Sequence, residues 1–343
     1  MEKVTQSTIA EALEISRNTV ARVFNNQPGV AEATRKAVLE KAKELGYSQP
    51  GSRNTTFKAA SVFAGEVALI GHFNFLRNPF WIEIVRGLER HLSDLGISLR
   101  LVLADSDQIQ SNTLPDSLLL SKVDGITVVG NMPASYYVSL QKLGLPLISY
   151  DIPQSMFYKQ PQFDVVSLNN QQATYTITER LIEKGHRRLT YVGAGTQSAS
   201  AVERRQGFEL ALKAHDIAPL YIPSIEQALP DASSFDFQQL SRELMALKER
   251  PTAYVCMNDE FAVRMLQFMQ KFPELTGDAV ITGFDNCASS ADRLSEISAT
   301  VDVHTNQIGR MMALQLYNRI QAPSLPFVTT RLSVTPLFRG GLK

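Results

Sequence analysis

The hydrophobic pattern of the first 45 residues predicts three short helices. In the second helix, Val20, Val23 and Phe24 share one face at the i, i+3, i+4 spacing, and Ser16 stands where an N-terminal cap is expected. A two-residue turn separates this helix from the first, and a glycine ends the third. The predicted helices cover residues 9–13, 16–25 and 32–45.

Beyond residue 66, short apolar runs alternate with amphipathic stretches. Apolar runs of this kind between helices are typical of parallel strands buried on both faces. About ten strands are too many for one compact sheet, so the pattern predicts two βα lobes, divided near residue 165. The predicted strands are residues 67–73, 98–104, 126–129, 146–150, 165–168, 188–192, 221–222, 253–257, 280–283 and 327–334.

Shifts in composition set the predicted domain boundaries. Residues 48–56 have the composition of a linker, and residues 57–65 could form a short helix that is stable only with a partner or DNA. The prediction is a headpiece at residues 1–47, a linker and hinge at 48–66 and an α/β domain at 67–343. The first lobe is predicted at about 67–164 plus 299–327, and the second at about 165–298 plus 328–343.

Charge adds a weak indication of where DNA would bind. The chain has 34 Lys and Arg against 34 Asp and Glu, and a net charge of zero by itself argues against a nucleic-acid-binding protein. Residues 1–58, however, carry nine Lys and Arg against six Glu, a net charge of +3. This asymmetry weakly favours DNA binding by the headpiece.

Cysteine and histidine usage gives no sign of a metal site. Cys256 and Cys287 stand in apolar, strand-like contexts, which predicts buried free thiols. The five histidines show no paired ligand spacing, so we expect neither a metal nor a cofactor. The N-terminal residues lack the apolar core of a secretory signal, and no run approaches the roughly 18 apolar residues of a membrane span. We therefore expect a cytoplasmic protein.

Catalytic motifs are also missing from the sequence. It contains no P-loop, G-x-S-x-G or H-E-x-x-H pattern, and residues 193–195 are too short for a dinucleotide fingerprint. We therefore expect no catalytic residues and a protein that is not an enzyme.

The polar face of the second helix carries the chemistry of DNA recognition. Arg17, Asn18 and Arg22 lie opposite the apolar stripe, and such side chains match guanine and adenine edges in a major groove. Two short helices, a tight turn and an Arg-bearing second helix are what a helix-turn-helix requires.

Short motifs, taken in order, extend this indication to nearly the whole chain. They are Ile9-Ala10, Val20-Ala21-Arg22-Val23-Phe24-Asn25, Leu45-Gly46-Tyr47, Asn78-Pro79-Phe80-Trp81, Gly185-His186-Arg187-Arg188, Arg204-Arg205-Gln206-Gly207-Phe208, Asn258-Asp259 and Gly283-Phe284-Asp285. As an ordered set they resemble the LacI (lactose/purine repressor) family of bacterial transcription regulators. We interpret the Gly185–Arg188 motif as a structural turn.

The resemblance implies the fold and the partners. It implies an all-α helix-turn-helix headpiece followed by an α/β, periplasmic-binding-protein-like domain of two Rossmann-like lobes, which binds an effector and dimerises. A homodimer would read a near-palindromic operator in double-stranded DNA, with hinge helices in its minor groove. A small effector would bind between the lobes, a mono- or disaccharide first and a nucleoside or purine second.

The resemblance also assigns DNA contacts. Arg17, Asn18 and Arg22 would face bases. The residues expected at phosphates or the backbone are Ser16, Thr19, Asn25 and Thr34.

The DNA-binding region departs from the family pattern in three places: the turn, the second helix and the hinge. Glu14 replaces the glycine usual in the turn, at a cost of about 1 kcal/mol if its φ is positive. Ala21 replaces a serine and removes one hydroxyl contact. Counting back from Ile70 places Val62 as the hinge's minor-groove wedge, with Phe63 as the alternative and without the usual basic residue.

For the effector, the resemblance implies a set of cleft residues at the carboxyl ends of strands. Their carboxylates, guanidinium and amide could bind vicinal hydroxyls, and the aromatic rings could face a sugar or base. Val303 stands where the family has a glutamine, so His304 or Asp302 could substitute for it. The predicted effector residues are Phe80, Trp81, Asp151, Arg204, Asn258 and Asp285.

Two functions therefore compete after enzymes are set aside. The first is a DNA-binding transcription regulator, of the repressor type, controlled by an effector. The second is a solute-binding protein without a regulatory role, against which the helix-turn-helix pattern and the missing secretory signal both argue.

Overall fold

The fold is given by a computed structural model of the chain. It forms two compact units, Met1–Ser61 and Val62–Lys343, which are described separately. The structure describes residues 5–24, 30–45, 65–73, 78–193, 198–226, 232–287 and 293–342. Among the helices in these ranges, none combines the length and the apolar character needed to cross a bilayer.

The headpiece contains the three predicted helices, α1 (Gln6–Ala12), α2 (Arg17–Phe24) and α3 (Glu32–Glu44). Thr5 caps α1 through a reciprocal hydrogen-bond pair with Thr8. Glu14 in the turn has a φ of 52°, as its place at a usual glycine position predicts. The small core of the headpiece consists of Ile9, Ala10, Val20, Val23, Val38 and Ala42.

In its described residues, the larger unit has two sheets, one in each lobe. The first sheet is entirely parallel and its order is β10 (Thr329–Leu332), β5 (Asp164–Leu168), β4 (Leu147–Tyr150), β3 (Gly125–Val128), β1 (Gly65–His72) and β2 (Ile97–Ala104). The second sheet has the order β11 (Thr335–Phe338), β9 (Ala299–Asp302), β8 (Val280–Thr282), β7 (Ala253–Cys256) and β6 (Leu189–Val192), and only β11 is antiparallel to its neighbour.

Helices join these strands and pack against the sheets. The first lobe contains α4 (Pro79–Asp94), α5 (Ser106–Ser111), α6 (Asp116–Leu119), α7 (Ala134–Gln141) and α14 (Thr305–Gln321). The second contains α8 (Asn170–Glu183), α9 (Ala199–Ala214), α10 (Pro223–Glu226), α11 (Phe237–Ala246), α12 (Asp259–Lys271) and α13 (Pro273–Thr276).

The chain passes between the lobes three times, after β5, after β9 and after β10. These crossings contact one another: Asn169 N donates to the Leu332 carbonyl at 2.9 Å, and His304 Nε2 lies 3.1 Å from Thr335 Oγ1. The lobes are therefore joined by adjacent short segments, the arrangement of a hinge.

The lobe boundaries differ from the predicted ones. β5 belongs to the first sheet and pairs with β10, while β9 belongs to the second sheet. The predicted boundaries placed the crossings just before β5, β9 and β10. The chain instead completes each of these strands in one lobe and crosses to the other lobe after it. The predicted strand at 221–222 is not formed, because Pro223 begins α10 there. The predicted hinge at 48–66, except for the first residues of β1, lies outside the described residues.

Candidate functional site

A cleft lies where strands of both sheets end. It has a volume of about 210 Å³, far above the roughly 10–15 Å³ that one water molecule needs. The carboxyl ends of parallel strands are where ligands bind in open α/β sheets. All six predicted effector residues line it, namely Phe80, Trp81, Asp151, Arg204, Asn258 and Asp285. Sequence reasoning missed other lining residues, including Asn78, Asn131, Tyr150, Ser198, Ser200, Asp259, Glu260 and Cys287.

An aromatic group forms the first-lobe wall of the cleft. Asn78 caps α4 by accepting a hydrogen bond from Phe80 N at 2.9 Å, and Pro79 occupies the first helical position. This start fixes Phe80 and Trp81 beside Tyr150, with ring-centroid distances of 5.0 to 6.0 Å within the trio. Edge-on ring pairs at such distances are favourable, and their faces offer an apolar surface to a flat or ring-shaped ligand.

Arg204 is the buried cation of the cleft. Its Nε donates to Asn170 Oδ1 at 3.1 Å, one terminal nitrogen donates to the Met257 carbonyl at 2.9 Å, and the other donates to Asp285 Oδ1 at 3.1 Å. The guanidinium also lies 3.7 Å from the centroid of the Phe284 ring. Burial lowers the pKa of Arg204, but the combined charges around it, led by that of Asp285, outweigh burial and raise it. The side chain is thus charged and held in one orientation.

Asp151 connects the two lobes at the cleft. It follows β4 with a φ of 62°, and its Oδ1 accepts hydrogen bonds from Ile152 N at 2.8 Å and from Ser200 N at 3.2 Å. Burial raises its pKa, while the same hydrogen bonds lower it. A buried aspartate in the left-handed region is a strained arrangement of the sort found at ligand sites.

On the second-lobe side, Asn258 and Asp285 follow β7 and β8. Asn258 caps α12 by accepting a hydrogen bond from Phe261 N at 3.0 Å. Asp285 has a φ of 97° and is ion-paired with Arg204. Both side chains are therefore fixed by protein partners and also line the cleft.

Two acidic residues of α12 were not predicted. Asp259 is buried, accepts a hydrogen bond from Thr300 Oγ1 at 2.7 Å, and has its pKa raised to about 7 by burial and by the charge of Asp285. Glu260 accepts a hydrogen bond from Asn78 Nδ2 at 2.9 Å, which links the two lobes across the cleft. The only sequence signal for Asp259 is its place in the Asn258-Asp259 motif.

His304 and Asp302 do not replace the missing glutamine. His304 Nε2 contacts Thr335 Oγ1, and Asp302 Oδ1 accepts the His304 amide at 2.9 Å, so both serve the crossing between β9 and α14. Neither residue lines the cleft, and Val303 is buried in the core. The proposed substitution was wrong, because Asp302 accepts the His304 amide and His304 contacts Thr335, so both side chains are engaged at the crossing.

The remaining predictions about side-chain chemistry concern structural residues. Gly185 has a φ of 94°, His186 Nδ1 lies 3.0 Å from Thr252 Oγ1, and Arg188 Nε donates to the Arg250 carbonyl, consistent with a structural turn. Cys256 and Cys287 are both buried, as predicted. Within the described ranges, no group of three or more His, Cys, Asp or Glu residues could hold a metal ion.

The headpiece presents the polar face of α2 as predicted. Ser16, Arg17 and Asn18 are exposed, while Thr19 and Arg22 are partly exposed. Ser16 caps α2 by accepting a hydrogen bond from Thr19 N at 3.0 Å. Of the other predicted DNA contacts, Thr34 is partly exposed on α3, whereas Asn25 and Val62 lie outside the described residues.

Family profiles match both units. The profile described as "Periplasmic binding proteins and sugar binding domain of LacI family" matches residues 69–333, and that described as "Bacterial regulatory proteins, lacI family" matches residues 7–49. The first match spans well over half of the chain, and the second covers the helix-turn-helix.

Individual relatives match at low identity but over nearly their full length. The chain is 28% identical to the HTH-type transcriptional repressor PurR of Aliivibrio fischeri, over 95% of this chain and 97% of that protein. It is 26% identical to the ribose operon repressor of Escherichia coli, over 97% of both chains. The structure of a complex between the transcriptional regulator CelR and cellobiose aligns with a TM-score of 0.66 at 23% identity, covering 98% of this chain and 99% of that chain.

Proposed function

The chain belongs to the LacI family of bacterial regulatory proteins, and we propose that the effector controlling its DNA binding is an uncharged sugar held in the cleft. The family consists of transcription regulators, so the protein is a DNA-binding regulator and not an enzyme. The headpiece match removes the alternative of a solute-binding protein without a regulatory role.

One observation carries the proposal: all six residues predicted from the sequence line a single cleft. Asp151, Asp285 and Arg204 supply charged acceptors and donors that suit vicinal hydroxyls. The aromatic trio supplies an apolar face for a pyranose or furanose ring. The family description, which names a sugar-binding domain, agrees with this chemistry.

The charges of the cleft argue against an anionic effector. Arg204, the one arginine among the described residues that line the cleft, is ion-paired with Asp285. Asp151, Asp259 and Glu260 add further acidic groups to the lining. A sugar phosphate or a uronic acid would meet these carboxylates without a free cation among the described lining residues, which disfavours its binding.

A ligand panel tests the effector. The purified full-length protein is mixed with D-ribose, D-glucose, cellobiose, ribose 5-phosphate, adenosine and hypoxanthine, and melting temperature and calorimetric affinity are measured. We expect an uncharged sugar to raise the melting temperature, since a ligand that binds only the folded state stabilises it. Stabilisation by ribose 5-phosphate alone, or by none of the panel, would contradict the proposal.

A nucleoside or purine is the second candidate. The rings of Phe80, Trp81 and Tyr150 could stack on a base as well as on a sugar, and PurR is among the relatives. Binding of hypoxanthine or adenosine in the same panel, without sugar binding, would favour this second candidate.

On the DNA side, we infer that the protein acts as a homodimer on a near-palindromic operator. Arg17, Asn18 and Arg22 give one headpiece too few base contacts for operator affinity, so two half-sites are needed. The edge strand β2 supports an interface between copies, because Leu101 and Leu103 on it are 48% and 37% exposed. Site selection on random DNA should return a two-fold symmetric sequence; an asymmetric one would contradict the dimer.

A further inference from the structure

A chain of buried polar groups leads away from the cleft. Asp285 Oδ1 accepts a hydrogen bond from Arg204, whose Nε donates to Asn170 Oδ1 at 3.1 Å. Asn170 Nδ2 then donates to Glu203 Oε2 at 3.0 Å, and Glu203 Oε1 is ion-paired with Arg331 at 2.9 Å. Four contacts thus connect a cleft carboxylate to Arg331, which does not line the cleft.

This chain of contacts crosses from one lobe to the other. Asn170, Glu203 and Arg204 are buried residues of α8 and α9 in the second lobe. Arg331 lies on β10, the edge strand of the first sheet, and its side chain is 50% exposed. The Glu203–Arg331 pair is therefore a bond between lobes, beside the point where the chain crosses from β10 to β11.

Each contact of the chain depends on the next. Asn170 Oδ1 accepts from Arg204, which orients the amide so that its Nδ2 donates to Glu203. The same Nδ2 also donates to Ser200 Oγ at 3.1 Å. Burial raises the pKa of Glu203, and the bonds from Asn170 and Arg331 lower it, so its negative charge depends on those two partners. Buried hydrogen-bond chains of this kind polarise one another.

We propose that Glu203 is a positioning residue. Through its pair with Arg331, it couples ligand occupancy of the cleft to the contact between the two lobes. The proposal rests on the cleft being the effector site. A ligand that accepts a hydrogen bond from Arg204, or donates one to Asp285, shifts Arg204. This shift is passed through Asn170 to Glu203, and the pairing of Glu203 with Arg331 on β10 changes. The contact between the lobes then depends on ligand binding in the cleft through these side chains, rather than through the packing of the lobes as a whole.

Hydrogen exchange of the full-length protein, without sugar or DNA, tests this link. The Asp285→Asn variant keeps the shape of the side chain but weakens the first contact. We expect amide exchange over Thr329–Leu332 to accelerate by roughly threefold to tenfold, the factor that corresponds to one weakened hydrogen bond. In the Arg331→Met background, where the last contact is already lost, Asp285→Asn should produce no further acceleration there.

A matched control separates a relay from general destabilisation. Arg100→Met removes another Arg–Glu pair of the first lobe, Arg100–Glu66 at 2.9 Å, which has no connection to the cleft. In that background Asp285→Asn should still accelerate exchange at β10. Unchanged amide exchange of β10 in Asp285→Asn would overturn the proposal. Equal acceleration by Asp285→Asn in the wild-type and Arg331→Met backgrounds would overturn it as well.

Glu203→Gln provides the same test from the centre of the chain. This variant keeps an acceptor for Asn170 and removes the charge that pairs with Arg331. The amides of β10 should therefore exchange as fast as in Arg331→Met. The double variant should show no further acceleration. Additive acceleration would contradict the coupling. Because no ligand is used, a failed sugar panel and a failed relay are distinguishable results.

Discussion

At the scale of single residues, the cleft is built from buried charges that hold one another in place. Arg204 is engaged by Asn170, Met257 and Asp285 before any ligand arrives. Pre-positioned groups cost little ordering entropy when a ligand binds. A ligand that fits the cleft therefore binds without first ordering the Arg204 side chain.

The raised pKa of Asp259 predicts a pH-dependent stability. The pKa of Asp259 is about 7 in the folded protein against an ordinary value of 3.8, so the folded state holds the proton more tightly. The contribution of Asp259 to stability is therefore full below pH 3.8 and falls as pH rises to about 7. Asp259→Asn, which keeps one acceptor oxygen and removes the charge, should raise the melting temperature more at pH 8 than at pH 5. Equal shifts at both values would show that Asp259 ionises normally.

Arg22 allows a residue-level test of DNA recognition. Arg22→Ala should weaken binding to the selected operator by roughly 1–3 kcal/mol and leave binding to unrelated DNA nearly unchanged, because base contacts carry sequence preference. Fluorescence anisotropy with both DNAs measures the difference. Lys41→Ala on α3, whose side chain pairs with Glu44, is the control, and it should leave the ratio of the two affinities unchanged.

At the scale of elements, the packing of α4 against α14 depends on two glycines, whereas the headpiece turn has Glu14 at a usual glycine position. α4 and α14 approach so closely that a Cβ on Gly309 would lie 2.2 Å from the Ile84 carbonyl oxygen, and one on Gly87 would lie 2.5 Å from the Asn306 carbonyl oxygen. In the headpiece turn, the opposite holds, because Glu14 occupies a left-handed position that glycine adopts without strain.

Gly309→Ala should therefore destabilise the protein. Overpacking of this kind costs about 1–3 kcal/mol, and here the obstacle is backbone, which cannot move aside like a flexible side chain. Denaturant unfolding gives the free energy. Gly341→Ala near the C-terminus, where a Cβ would meet nothing within 4 Å, should leave it almost unchanged.

Glu14→Gly should have the opposite effect on the headpiece. Release of the left-handed strain stabilises the turn by about 1 kcal/mol, which is partly offset by the greater backbone entropy of glycine in the unfolded chain. Hydrogen exchange of α1 and α2 amides reports the change. Faster exchange in the variant would mean that the Glu14 side chain contributes a contact that outweighs the strain.

The elements that sequence predicted poorly share a physical cause. The strands of the lobe cores have strong apolar runs, whereas β11 is a short edge strand that contains Pro336 and β9 pairs with it next to a crossing. Buried polar residues such as Asn170 and Glu203 look like ordinary helix-surface residues along the chain. Their importance arises only when two lobes meet, and pattern alone does not contain that information.

At the scale of the whole molecule, the sequence alone predicted the family, the two-lobe architecture and six residues that line the cleft. Those residues follow strands, and the parallel topology brings strand ends together regardless of the exact loop structure. The allocation of β5, β9 and β10 to lobes was not predictable, because crossing points depend on which edge each strand finds rather than on its composition.

Control of DNA binding by cleft occupancy can be measured at Asp285. The selected operator is titrated with wild type and with Asp285→Ala, each with and without the sugar that stabilises the wild type. We predict that the sugar changes the operator Kd of the wild type, and that the operator Kd of Asp285→Ala no longer responds to the sugar. A full response in Asp285→Ala, or none in the wild type, would contradict the account.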